Sequence, residues 1–253
     1  MDINLLTLSL GNSRLALGVF AAGELVHSVR LPNHDRAAWP RAIGDAWARI
    51  ANANWAAIAA ASVVPDLNPE IEQIVQQRAD QRVLWVGRDI ELPIEVRTQG
   101  PEQTGVDRIL NMAAAYEQMQ KACIVVDAGT AITVDCCNDK GEFLGGAIAP
   151  GLEMMLDALH EKTAQLPKVA FAAPSDGFGD STASAISQGA YFAIRGLVKE
   201  AAEHYATLLG SWPEIIATGG DAQKLFGGWE LIHAIAPDLL LYGIALAYAE
   251  QPE

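Results

Sequence analysis

Ile124-Val125-Val126-Asp127-Ala128-Gly129-Thr130-Ala131-Ile132-Thr133-Val134-Asp135 decides how the rest of the chain is read. It opens as a continuous apolar run, the mark of a strand buried on both faces, breaks at Asp-Ala-Gly-Thr, and resumes as an alternating segment. The pattern predicts two strands folded into a tight hairpin with a polar tip. At that tip Gly129 tolerates positive φ and lets backbone N–H groups approach a ligand, Asp127 sets a carboxylate at the strand end, and Thr130 adds a hydroxyl. Such a tip suits a phosphate and a cation together; the same residues also make ordinary turns.

A second copy weighs on that choice. Leu8-Ser9-Leu10-Gly11-Asn12-Ser13-Arg14-Leu15-Ala16-Leu17 has the same layout: apolar strand, short polar residue, apolar residue, Gly, small polar residues, alternating strand. Setting Gly11 on Gly129 sets Ser9 on Asp127, an offset of 118 residues in both cases. That offset is close to half of the 253 residues. We therefore expect an internal duplication: two similar α/β domains, residues 1–115 and 116–253, whose Gly turns face one another across an interdomain cleft and grip a phosphorylated ligand.

Length and composition agree with this plan. The chain can bury one large core or two small ones. No apolar run reaches the roughly 18 residues a membrane span requires, and the chain enters a strand near Ile3 without a basic, cleavable leader. A cytoplasmic protein with no membrane partner is expected. The three cysteines, two of them adjacent at Cys136 and Cys137, form no spaced metal site and read as buried reduced thiols. A net charge of −14 with 17 scattered basic residues argues against a nucleic-acid partner, which needs clustered Lys and Arg. Attraction for an anionic ligand must then be local, from backbone amides, a helix N-terminus, a metal ion or single residues such as Arg108.

Along the chain, Glu24 to Leu31 alternates as a third strand, and Asn33 to Ile50 reads as an amphipathic helix. Trp39 and Trp47 share one face of it and read as core. Trp55 to Val64 predicts a buried strand, Asn68-Pro69 a helix start in cap-then-proline order, and Arg82 to Gly87 another strand. The resulting order, β-β-β-α-β-α-β, is similar to a ribonuclease H-like unit and fits a generic α/β sandwich as well. After an irregular stretch, a helix begins at Thr104-Gly105-Val106-Asp107-Arg108. Its first turn offers a carboxylate and unbonded N–H groups, which suits a ligand or a plain helix cap. Later come Gly145-Gly146-Ala147-Ile148-Ala149-Pro150-Gly151, which permits close backbone approach, a helix from Ser181 with Thr182 in its first turn, and the strand-to-Gly turn Thr218-Gly219-Gly220. A final apolar helix, Pro237 to Ala249, carries no evident chemistry.

Gly11-Asn12-Ser13, Gly105-Val106-Asp107-Arg108, Asp127-x-Gly129-Thr130-Ala131-x-Thr133, Gly145-Gly146-x-Ile148-x-Pro150-Gly151, Ser181-Thr182 and Thr218-Gly219-Gly220 together resemble the type III pantothenate kinases. That family belongs to the acetate kinase/sugar kinase/Hsp70/actin superfamily, and the motifs stand in its order over nearly the whole chain. The resemblance implies two duplicated ribonuclease H-like, actin-like ATPase domains and ATP-dependent phosphorylation of pantothenate to 4'-phosphopantothenate, the first step of coenzyme A biosynthesis. It implies Asp107 as general base, Gly105, Val106, Arg108 and Thr182 as pantothenate contacts, and Ser9, Leu10, Gly11, Asn12, Ser13, Arg14 and Thr130 as nucleotide contacts. It further implies Asp127 as the ligand of a monovalent cation (K⁺ or NH₄⁺), Mg²⁺ with the ATP, and a homodimer formed through the second domain's helices.

Two positions depart from the family pattern. The first turn of the family reads Asp-x-Gly-Asn-Thr, and Ser9 stands where its Asp belongs; a hydroxyl can bond a phosphate or a metal-bound water but brings no charge to Mg²⁺. Thr98 stands where the family tends to place a Tyr. A second reading follows, a paralogue that keeps fold and ligand without turnover, and a third, a regulatory or DNA-associated protein, which the acidic charge opposes.

Overall fold

The computed structural model describes residues 3–174 and 177–251. The chain forms two compact units, one from the residues up to Glu95, Gln99–Ala114 and the stretch from Asp238 onward, the other from Val96–Thr98 and Ala115–Pro237.

In the first unit, β1 (Leu5–Leu10), β2 (Arg14–Ala21) and β3 (Glu24–Pro32) run as an antiparallel meander. β4 (Ala57–Ser62) and β5 (Leu84–Trp85) add parallel to the other side of β1, giving the order β3-β2-β1-β4-β5. Successive side chains of β1 leave on opposite faces. Leu6, Leu8 and Leu10 pack with Trp39 and Ile43 of α1 (Trp39–Trp47) and Ile71 and Val75 of α2 (Asn68–Ala79). Leu5 belongs instead with Phe20, Ala59 and Ala61, against Leu110 of α3 (Val106–Met119) and Leu241 and Ile244 of α7 (Leu239–Ala249). Each buried Leu contributes roughly 1.5–3 kcal/mol, so a one-residue slip, which exchanges the faces, is strongly disfavoured. Ser9 therefore falls on the Leu5 and Thr7 side of the sheet.

α7 is apolar all round because it lies on β1 and β4 and against α3: a Cβ at Gly243 would stand 2.2 Å from the Leu110 carbonyl oxygen. Only glycine permits that approach.

The second unit repeats the layout with β6 (Cys123–Ala128), β7 (Ala131–Cys137), β8 (Phe143–Pro150), β9 (Glu214–Thr218) and β10 (Ala234–Ile235) in the order β10-β9-β6-β7-β8. Numbered within its own unit, each sheet reads 3-2-1-4-5, the ribonuclease H-like arrangement. Ile124, Val126 and Ala128 join α4 (Leu152–Lys162), α5 (Thr182–Leu209) and α6 (Ala222–Phe226) in one core, leaving Asp127 on the opposite face. At the β8 edge, Val96 bridges Phe143 in parallel, the Arg97 N–H donates to the Phe143 carbonyl at 2.8 Å, and the Arg97 guanidinium grips Glu142 at 2.7 Å. Arg97 and Asn138 together hold the Glu142 carboxyl below its usual range. Cys123, Cys136 and Cys137 are buried reduced thiols outside any disulfide, as expected.

Several boundaries differ from the sequence reading. The helix expected from Asn33 starts at Trp39, after a single 3-10 turn at Arg36–Ala38, because Asn33 is tied to the first Gly turn and Pro40, which has no N–H to donate, suits only a first helical turn. Asn68 is the first residue of α2 and not its cap; no side-chain cap bond forms there. The strand expected from Trp55 begins at Ala57, since Trp55 turns the chain at φ +60°. Of Arg82 to Gly87 only Leu84–Trp85 form a strand, paired with Ala59 and Ala60, while Val86 makes a single bridge to Ile90. Of the two candidate caps for α5, Asp180 and Ser181, it is Ser181 that caps it, in a reciprocal box with Ser184.

Candidate functional site

The turn of the first unit lies between the paired residues Leu10 and Leu15 and has four residues, Gly11 to Arg14. The Gly11 N–H closes it on the Arg14 carbonyl at 3.0 Å. Asn12, Ser13 and Arg14 are exposed, and Ser9 is buried just below. Ser9 faces Ala16 across the antiparallel pair and Ala61 across the parallel one, so only methyl groups flank its hydroxyl in the ladder. Behind the turn stands Asn33, which the sequence reading did not single out. Its Nδ2 donates to the carbonyls of Gly11 at 2.8 Å and Asn12 at 2.9 Å, and its backbone N–H to that of Ser13 at 2.9 Å.

The turn of the second unit is one residue shorter. Ala128 pairs with Ile132, leaving Gly129 to Ala131, and the Gly129 N–H closes on the Ala131 carbonyl at 3.0 Å. Thr130 is exposed at the tip, and the half-buried Asp127 sits at the strand end. Its ladder neighbours are Thr133 and Thr218, two hydroxyl residues where Ser9 has two alanines. Gly219, at φ +94°, completes the cradle: a Cβ there would stand 2.4 Å from Asp127 Oδ1 and 2.4 Å from the Ala128 carbonyl oxygen. A carboxylate ringed by hydroxyls, carbonyls and a bare glycine suits a hard cation that takes oxygen ligands. Among the described residues no group of three or more His, Cys, Asp or Glu is placed to hold a metal ion.

The Gly105-Val106-Asp107-Arg108 segment opens α3 in the first unit. Asp107 lies in the first turn, where Oδ1 accepts the Arg108 N–H at 2.9 Å. A Cβ at Gly105 would come within 2.6 Å of that oxygen, so the glycine makes room for the folded-back carboxylate. Burial pushes the Asp107 carboxyl above its ordinary pKa, against the opposing pull of the Arg108 amide and guanidinium. A carboxylate raised in this way is a better proton acceptor near neutral pH. Val106 packs beside the apolar face under α7.

The first unit thus holds Ser9, Leu10, Gly11, Asn12, Ser13, Arg14, Gly105, Val106, Asp107 and Arg108. The second holds Asp127, Thr130 and Thr182, the last exposed as the first residue of α5 behind its Ser181 cap. Thr98, also of the second unit, lies by the β8 edge, its methyl 3.6 Å from where a Cβ on Gly145 would stand.

The family model described as type III pantothenate kinase matches residues 5–204. A type III pantothenate kinase of Dehalococcoides mccartyi is 38% identical over 187 residues, covering 74% of this chain and 71% of that protein. One of Solibacter usitatus is 31% identical over 249 residues, covering 96% and 95%. Among solved structures, a Baf family protein of Campylobacter jejuni superposes with TM-score 0.61 at 22% identity, covering 97% of this chain and 98% of that one. An inorganic polyphosphate/ATP-glucomannokinase of Arthrobacter does so with TM-score 0.50 at 16% identity, covering 99% and 100%. These two likenesses are ones of fold.

Proposed function

The chain belongs to the type III pantothenate kinase family, and from that premise we propose that Asp107 is the general base of its phosphoryl transfer. The reaction is the ATP-dependent phosphorylation of pantothenate in coenzyme A biosynthesis. In it Asp107 accepts the proton of the pantothenate hydroxyl as that oxygen bonds to the γ-phosphorus; the bond from phosphorus to the bridging oxygen breaks, and ADP leaves. The half-buried carboxylate at the start of α3, with its raised pKa, carries this assignment.

The other roles follow the same reading. Gly105, Val106, Arg108 and Thr182 contact pantothenate, Arg108 by charge and Thr182 by its exposed hydroxyl. Ser9, Leu10, Gly11, Asn12, Ser13, Arg14 and Thr130 contact ATP, chiefly through turn amides, which hold phosphate without a basic patch. Asp127 would hold K⁺ or NH₄⁺, an assignment that its Thr133, Thr218 and Gly219 surroundings support. Mg²⁺ would neutralise phosphate charge, and the Ser9 hydroxyl could bond a phosphate or a metal-bound water without adding charge. Positioning and charge neutralisation are most of what phosphoryl transfer requires.

The proposal includes a homodimer, for which exposed Leu144 and Ile148 on β8 and Phe192 on α5 supply apolar surface. It includes a cytoplasmic location; among the described residues no helix is long and apolar enough to cross a membrane. The net charge of −14 supports the absence of a nucleic-acid partner.

Asp107→Asn tests the assignment. We expect transfer to slow by roughly 10²-fold or more with ATP binding retained. The raised pKa means that the folded protein holds this proton more tightly than the unfolded chain, so ionised Asp107 costs stability above its folded pKa and nothing below its unfolded one. Asn removes that cost, and the melting temperature at neutral pH should hold or rise. The parent's kcat/KM should fall as pH drops through the raised pKa. Full activity in Asp107→Asn removes the residue from the mechanism.

A further inference from the structure

Asn33 occupies, in the first unit, the place that Gly151 occupies in the second. The two are separated by the same 118 residues that separate the Gly turns, and each follows the third strand of its sheet. Their backbones make the same bond: Asn33 N–H to the Ser13 carbonyl at 2.9 Å, Gly151 N–H to the Thr130 carbonyl at 3.1 Å. Their side chains could not be exchanged. A Cβ at Gly151 would stand 2.4 Å from the carbonyl oxygens of both Gly129 and Thr130, because the three-residue turn is pressed onto the strand end. The four-residue turn at Gly11 to Arg14 stands off by the width of a side chain, and the Asn33 amide fills that width.

The amide orientation follows from its surroundings, since two carbonyl oxygens within 2.9 Å demand the NH₂ group. Oδ1, on the other side, is buried without a partner, a desolvation cost that the fold bears while the NH₂ group stays on the turn. The contacts fix more than position. Each peptide is planar and trans, so a carbonyl drawn toward Asn33 sends the N–H of the following residue to the opposite side. With the Gly11 and Asn12 carbonyls drawn back, the amide edges of the 11–12 and 12–13 peptides are turned outward, as an anion-binding turn requires.

We propose that Asn33 is a positioning residue for ATP: it sets the peptide planes of the first Gly turn so that their amide edges meet the phosphates. The proposal rests on the reading that this turn takes ATP. The experiment uses the full-length enzyme and varies ATP and pantothenate separately. Asn33→Asp keeps the size and the backbone bond to Ser13 but sets a carboxylate against two carbonyls. It should raise the KM for ATP about tenfold, with kcat and the KM for pantothenate changed less than twofold. Asn33→Ala, which removes the attraction without adding repulsion, should raise the KM for ATP about threefold to tenfold. Hydrogen exchange on the parent enzyme tests the underlying reading by itself: ATP should slow exchange across residues 11–14, and no slowing would sink that reading. Slowing in the parent combined with an unchanged KM for ATP in a folded Asn33→Asp would overturn the role of Asn33. Equal loss in kcat and in both KM values, or loss of cooperative folding in both variants, would overturn it too, in favour of a general structural role.

Discussion

The two Gly turns stand at the same point of the same topology and are built in opposite ways. In the first unit a four-residue tip is held at a distance by the Asn33 amide, and the strand beneath ends in a neutral hydroxyl, Ser9, between Ala16 and Ala61. In the second, a three-residue tip is packed against bare Gly151, and the strand ends in the Asp127 carboxylate between Thr133 and Thr218. The duplication therefore places two different chemistries at equivalent points. One copy offers amide edges and no carboxylate; the other offers a carboxylate and close packing. The change at position 9 is matched by its neighbours, because a carboxylate there would have alanines where Asp127 has hydroxyls. Ser9 reads as part of a consistent neutral strand end, and not as an isolated lesion that would by itself end turnover.

The sharpest way to break this contrast is to neutralise the charged copy. Asp127→Asn should lower kcat/KM by about 10²-fold, comparable to removing one strong electrostatic contact from a transition state. Its residual rate should no longer respond to K⁺ or NH₄⁺. A variant that still shows the parent's cation titration would remove Asp127 from that role.

Packing gives the next effect. Gly151→Ala forces a methyl group between the strand end and two carbonyls at 2.4 Å, an overpacking that costs about 1–3 kcal/mol. Chemical denaturation should show the loss. An Ala variant as stable as the parent would mean that the second turn is as loosely seated as the first.

The smallest effect is expected from adding charge to the neutral copy. Ser9→Asp should lower the Mg²⁺ concentration for half-maximal rate by only a few-fold, since the new carboxylate is buried among methyl groups and part of its gain is lost to desolvation. A gain of 10²-fold in a Mg²⁺ titration would show that the strand end had been waiting for its charge, and would restore the reading of an impaired enzyme.

Both turns were legible because a buried strand that breaks at Gly and resumes in alternation is a strong local pattern, and its repetition at one offset is a stronger one. The place of Asp107 in the first turn of α3 was legible for a similar reason: Gly, then a carboxylate, at the start of an apolar helix. Asn33 was not. It looked like the start of an amphipathic helix, and its role depends on a turn some twenty residues earlier. The same offset that aligned the turns would have set it opposite Gly151, and an Asn facing a Gly at a conformationally tight point was the available signal. The two-residue strand β10 is too short to show a period, so only its parallel partner β9 defines it. The bridge from Val96 to Phe143 is likewise a tertiary event with no local signature.

The seat of α7 on the first sheet sets an order of events during synthesis. Leu110 of α3 covers part of the face formed by Leu5, Phe20, Ala59 and Ala61, but the rest waits for Leu241 and Ile244, and α7 is translated nearly 180 residues after β4. At roughly 5–20 residues per second, that face waits on the order of ten to thirty seconds on the ribosome without its full cover. The strands made first are thus among the last to be finished, and a transcript cut short before Leu239 would release a sheet with one sticky side, a natural substrate for chaperones and proteases.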